Sequence, residues 1–191
     1  MPHIELESHL PGITGLLEYR KDTAAPIRDL TQLLLRGPST LTEAERELIA
    51  TIVSHGNQCR FCTTAHTAAV DALLGEELLG ENTTASMVKK DIATAPVSDK
   101  MKALLNIAAL TGKNGKLVTT GDVEKAKAAG ATDIEIHDTV LIAALFSLYN
   151  RYVDGMATAM PEDVSYFGVL ADRLVNHGYT RLPQGYDHLK K

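Results

Sequence analysis

The stretch Thr42–Leu74, TEAERELIATIVSHGNQCRFCTTAHTAAVDALL, decides how the chain is read. Thr40 or Thr42 can cap a helix whose first turns carry Glu43, Glu45 and Glu47, negative charges suited to the positive end of a helix dipole. Gly56-Asn57 is a turn pair and predicts the end of that helix. A second helix is expected from Gln58 or Cys59 through Ala65, Ala68, Ala69, Val70, Leu73 and Leu74 to Gly75, with both thiols at its N-terminus.

The same helical period extends outward. Apolar residues recur at i, i+3 and i+4, and β-branched alternation is scarce, so the chain is expected to be an all-α helical bundle. After a loose opening with Pro11 and Gly12, Ala25-Pro26 predicts a helix start, with Ile27, Leu30, Leu33, Leu34 and Leu35 as a core or subunit-interface stripe ending at Gly37-Pro38. Ser98-Asp99 caps Met101 to Leu110, and Gly112 to Thr119 reads as loop. Thr120 precedes Val123 to Ala129, which Gly130 closes. Thr132-Asp133 introduces the longest pattern, Ile134 to Met160. Pro161 then restarts a last helix through Val164, Leu170, Leu174 and Val175, and the tail from His177 reads as irregular. No linker separates two domains, so residues 1–191 are expected to form one, with a chemical core at 42–74 and a helical scaffold at 132–160.

An internal comparison adds to this. Leu48–Asn57 aligns with Leu141–Asn150 at five identical positions, the second lacking the cysteines and Gly56. This is either a duplicated helical unit in which one half keeps the chemistry, or a chance match between Ala- and Leu-rich helices.

The chain has 191 residues, 45% of them hydrophobic and 23% charged, enough to bury a core and too apolar for disorder. A net charge of -5 gives no cationic field to attract nucleic acid or an anionic membrane. The longest apolar run, Val140 to Phe146, is far short of the roughly 20 residues that cross a bilayer as a helix. The N-terminal residues have neither a basic n-region nor an apolar h-region, so a cytoplasmic location is expected. No Gly-rich phosphate loop implies a bound organic cofactor.

Cys59 and Cys62 are the only cysteines, too few for a disulfide scaffold, and in a reducing compartment such a pair can cycle between dithiol and disulfide. At about 100° per residue, Cys59, Cys62 and His66 share a sector of roughly 60° on one helix face. Phe61 points elsewhere. Unpaired N–H groups and the dipole at a helix N-terminus favour thiolate over thiol, so a lowered thiol pKa is expected. His66 can take the thiol proton or hold a positive charge beside the sulfur. A hairpin about Gly56-Asn57 could return the Glu47 carboxylate to fix the imidazole tautomer, and Ser54 or His55 could join the relay. Alone, Glu47 reads as a solvated helix charge and His66 as structural; only the set reverses this. Zinc competes for two Cys, one His and one Glu, but structural zinc draws on a second ligand pair, which is lacking, so no metal is expected. His3, His9, His137, His177 and His188 lack ligand spacing, and Arg151 with Asp154 is expected to form an i,i+3 ion pair or contact another subunit.

Glu47, eleven intervening residues, Cys59-Arg60-Phe61-Cys62, three more and then His66 resembles the core motif of the AhpD-like and carboxymuconolactone decarboxylase superfamily. The flanking Asn57–His66 and Tyr149-Asn150-Arg151-Tyr152-Val153-Asp154 resemble its peroxidase-related branch. The resemblance implies an all-α fold, homo-oligomers and thiol-dependent reduction of hydroperoxides by the CxxC pair. By motif position Cys62 would attack the peroxide, Cys59 would resolve, and Glu47 and His66 would form the proton relay. Phe61 departs from the motif, which often has His or Ser there, so the relay must do without that group or recruit His55. A lipoylated protein, a thioredoxin-like protein or a small thiol would return the electrons. Competing readings are a non-enzymatic redox sensor or oligomeric binding module, and a lactone decarboxylase, which has no evident need for a dithiol.

Overall fold

The computed structural model describes residues 1–186 and 189; His188 lies outside them. Among the described residues the chain is all-helical, as the periodicity predicts: α1 (Ile13–Tyr19), α2 (Lys21–Arg36), α3 (Glu43–Gly56), α4 (Arg60–Leu74), α5 (Thr84–Lys90), α6 (Asp99–Lys113), α7 (Thr120–Ala128), α8 (Asp133–Gly155) and α9 (Ser165–His177), with one 3-10 turn at Gly115–Leu117.

The caps follow from local chemistry. Thr42, not Thr40, starts α3 through a reciprocal box with Glu45, and Thr132 with Glu135 does the same for α8. Thr40 instead donates to Glu135 Oε1 at 2.8 Å. α3 is buried nearly all round, from Leu48 through Ser54, which makes it the central helix. Around it α6 and α8 close a core of Leu35, Ile49, Leu104, Ile107, Ile142 and Phe146. A second apolar cluster, between α4 and α9, contains Phe61, Phe167, Leu170 and both cysteines.

Several boundaries depart from the sequence reading. α2 begins at Lys21, so Pro26 lies inside it rather than at its start. The second turn tolerates the proline at the loss of one amide donor, because the helix has already begun against α1. That short helix, α1, occupies the opening read as loose, and the Leu30–Leu35 stripe splits: Leu34 and Leu35 are buried, while Leu30 and Leu33 face solvent. The turn after α3 does not pivot on Gly56-Asn57. Gln58 takes the left-handed conformation (φ 60°), its N–H donates to His55 O, and Cys59 N–H donates to Ser54 O at 3.1 Å. This Schellman closure sets Cys59 as the residue that opens α4.

α8 stops at Gly155 rather than Met160, again by a Schellman pair: Ala157 N–H to Asp154 O and Thr158 N–H to Val153 O. Here an alanine sits at φ 48°, where a Cβ is strained. Ala157→Gly is therefore expected to stabilise the fold by roughly 0.5–1 kcal/mol, read as a rise in the urea midpoint at unchanged m. A lowered midpoint would show that the alanine side chain contributes more packing than the strain costs.

α3 and α8 meet through the two aligned segments. Asn57 Nδ2 donates to Asn150 Oδ1 (2.9 Å) and Ser147 Oγ (3.4 Å), and Asn150 Nδ2 donates to Ser54 Oγ (3.0 Å). Ser54 and Asn57 are equivalent in the alignment to Ser147 and Asn150, so the contacts are reciprocal, as a local pseudo-two-fold produces.

Candidate active site

Glu47 projects from the central helix into a fully buried position where both carboxylate oxygens are used. Oε1 accepts from Arg36 Nη2 (2.7 Å) and Tyr179 OH (2.6 Å), and Oε2 lies 2.7 Å from His66 Nδ1. Burial alone pushes the Glu47 carboxyl up. The hydrogen bond and charge of His66, with Arg36 and Tyr179, outweigh it and hold the group at about 2. An ionised carboxylate accepts only, so Nδ1 of His66 carries the proton and, in the neutral ring, Nε2 keeps the lone pair of a base. The ring is fixed edge-on to Phe146, centroids 4.5 Å apart, and nearly parallel to Tyr179.

One turn earlier on α4 are the thiols, both reduced. Cys59 Sγ donates to Cys62 Sγ at 2.8 Å. Cys59 is 0% exposed and Cys62 4%, yet Cys62 and His66 line one small cavity of about 60 Å³ beside Phe146 and Tyr149. No hydrogen bond among the described residues joins the imidazole to either sulfur; what they share is the cavity wall. The expected lowering of the thiol pKa is reversed at Cys62. The hydrogen-bonded Cys59 thiol pushes Cys62 up, burial adds to this, and the Asn150 side chain pulls the other way. Two negative charges this close repel, so the neighbouring sulfur disfavours a thiolate at Cys62.

The structure brings Glu47, His66, Cys59 and Cys62 together and leaves His55 out. Eight residues beyond Glu47, His55 lies about 80° around the helix. It is largely exposed, and the partial desolvation of its ring together with the charge of Lys89 lowers its pKa. Ser54 stays on the Glu47 face but is taken by Asn150. Arg151 donates to Ser147 O and makes no ion pair with Asp154 among the described residues. Asp154 is instead close enough to the Cys59 thiol to feel it; burial raises its carboxyl and the thiol lowers it, with a net rise. Arg36 and Tyr179 escaped the sequence reading because neither stands at any spacing from the motif. Among the described residues no three His, Cys, Asp or Glu side chains converge as metal ligands. No described helix is long and apolar enough to cross a membrane.

Fold and site together define an all-α protein with a buried dithiol beside a carboxylate-fixed imidazole. Residues 21–75 match the model of the Carboxymuconolactone decarboxylase family. Two solved structures share the fold. One is described as an alkylhydroperoxidase AhpD core, an uncharacterized peroxidase-related protein from Ralstonia eutropha JMP134, 25% identical over 84% of this chain and 80% of that one, TM-score 0.72. The other is an uncharacterized peroxidase-related protein from Silicibacter sp. TM1040, 24% identical over 80% and 77%, TM-score 0.68. No curated protein matches the chain. Residues 21–75, which hold Glu47, both cysteines and His66, carry the pattern of that family, and the chain shares its fold with both solved structures.

Proposed function

We propose that this protein is a cytoplasmic, homo-oligomeric alkylhydroperoxidase that works through the Cys59–Cys62 pair. The superfamily and its peroxidase-related fold neighbours support an alkylhydroperoxidase-type role in general terms. The observation that carries the finer reading is that Cys62 shares a cavity wall with His66, whose tautomer the buried Glu47 fixes. His66 removes the Cys62 proton. The thiolate attacks the O–O bond, the alcohol leaves with a proton, and Cys62 becomes a sulfenic acid. Cys59, adjacent at 2.8 Å, condenses with it, forming the disulfide and water. One dithiol of a lipoylated or thioredoxin-like protein, or two molecules of a small thiol, supplies two electrons and two protons to restore the thiols. Exposed Leu30 and Leu33 on α2 and Ile134 and Leu148 on α8 support association of copies.

Thiol titration tests the reading: one equivalent of cumene hydroperoxide should remove both thiols of the reduced chain, and excess dithiol should sustain many turnovers. Burial of both sulfurs favours a second reading, a redox sensor, which oxidises once and does not turn over. Unchanged thiols after peroxide would defeat both.

A further inference from the structure

The cavity beside Cys62 has a feature that the thiol chemistry does not use. Its walls include Leu17, Phe146 and Leu170, and also two guanidinium groups, Arg28 and Arg173, each 4% exposed. Arg28 has a counter-ion: its Nη2 donates to Glu18 Oε1 at 3.0 Å. Arg173 does not. Its Nη1 and Nη2 donate to the carbonyls of Gly178 (3.0 Å) and Thr180 (2.8 Å), its Nε is buried without an acceptor, and no carboxylate of the described residues lies within 4 Å. The Arg28 Nε is likewise unpartnered. Glu18, the carboxylate of this corner, is already shared by Arg28 and Arg181.

Two main-chain carbonyls can satisfy N–H groups but cannot neutralise a charge, and arginine cannot shed its proton to escape burial. The Tyr186 ring, 5.0 Å from Arg173 Cζ and 5.6 Å from Arg28 Cζ, offers a π face to both cations and still leaves the positive charge in place. A buried cation in an otherwise apolar wall suits an anionic group presented by an apolar ligand.

We propose that this cavity is a binding site for short-chain carboxylates, with Arg173 anchoring the carboxylate and the chain lying along the apolar wall toward Cys62. Resting on the peroxidase reading, the substrate class is a hydroperoxide that carries a carboxylate remote from its O–O bond. The free volume of about 60 Å³ is several times the roughly 10–15 Å³ that one water-sized group requires, which is room for the carboxylate and a short chain.

Butanoate and its neutral isostere butanamide, neither of which has an O–O bond, separate this inference from the peroxidase reading. In calorimetric titrations of the reduced full-length protein, butanoate should bind saturably and at least about tenfold more tightly than butanamide. It should also slow alkylation of the thiols by iodoacetamide. Arg173→Met should abolish both effects, and Arg173→Lys, which keeps the charge but not the fork, should retain part of the preference. Equal binding of the two ligands, no binding of either, or undiminished butanoate binding by Arg173→Met overturns the proposal. Should Arg173→Met fail to fold, the ligand pair on the unaltered protein and the lysine variant decide. Failure here leaves the thiol titration untouched, and failure of the thiol titration leaves carboxylate binding standing.

Discussion

Cys62→Ser should reduce hydroperoxide consumption to the background rate, a loss of at least roughly 10³-fold, because it removes the only sulfur that meets the cavity. Cys59 is fully buried behind it and is not part of that wall. Cys59→Ser should behave differently. Without a resolving thiol, Cys62 stops at the sulfenic acid after one turnover, and dimedone should label one site per chain. The reverse pattern, an active Cys62→Ser protein and a silent Cys59→Ser protein, would exchange the two roles. The hydroxyl of serine is close in size to the thiol and can still meet the neighbouring sulfur, so both variants should unfold near the parent midpoint. A lost activity accompanied by a collapsed midpoint would point to packing rather than chemistry.

Direction of attack also bears on the raised Cys62 thiol. A helix N-terminus acting on an isolated cysteine favours thiolate, and that local argument is what the motif offers to a reader of sequence. In the folded chain the dominant neighbours are another thiol and an apolar enclosure, and both act against a second negative charge. Reactivity then depends on His66 taking the proton as the peroxide arrives, which makes the imidazole tautomer decisive rather than auxiliary.

What the sequence disclosed and what it withheld divide along sequence distance. The α3 and α8 caps are written within four residues, at Thr42-Glu45 and Thr132-Glu135, and could be read directly. The thiols and His66 share one helix, and Glu47 lies one hairpin away, so their meeting follows from period and turn. Pro26 misled because a proline suits a first turn, and nothing local says that the helix has already begun at Lys21. α5, seven residues capped by Thr83, is too short to show a period. Arg36 and Tyr179 reach Glu47 across 11 and 132 residues, and the Tyr179 segment carries no helical pattern at all. Arg151 and Asp154 had the spacing of an ion pair, yet a backbone carbonyl one turn back on α8 was the better partner for Arg151 in the fold.

Glu47→Gln should be nearly as damaging to turnover as loss of a thiol, by a route that leaves both sulfurs in place. Arg36 and Tyr179 both donate toward Oε1, and Arg36 cannot accept, so the amide oxygen of the variant must face them. Its NH2 then faces His66 Nδ1 and can be accommodated only if that nitrogen gives up its proton. The proton moves to Nε2, and the ring loses the lone pair that serves as base. The analogous switch in a serine-protease triad costs about 10⁴-fold, and about 10² to 10⁴-fold is expected here in kcat/KM for hydroperoxide. Stability supplies an independent readout. The Glu47 carboxyl, ordinarily near 4.5, is held at about 2 in the fold, so it favours the native state above 4.5 and progressively ceases to do so as pH falls from 4.5 toward 2. For this buried group the span corresponds to roughly 3 kcal/mol. Urea midpoints of the parent protein should therefore fall across that window, while those of Glu47→Gln, lower at neutral pH, should show a shallower fall. Parallel pH slopes in the two proteins, together with unchanged turnover, would remove Glu47 from the relay and leave it as a buried counter-ion for Arg36.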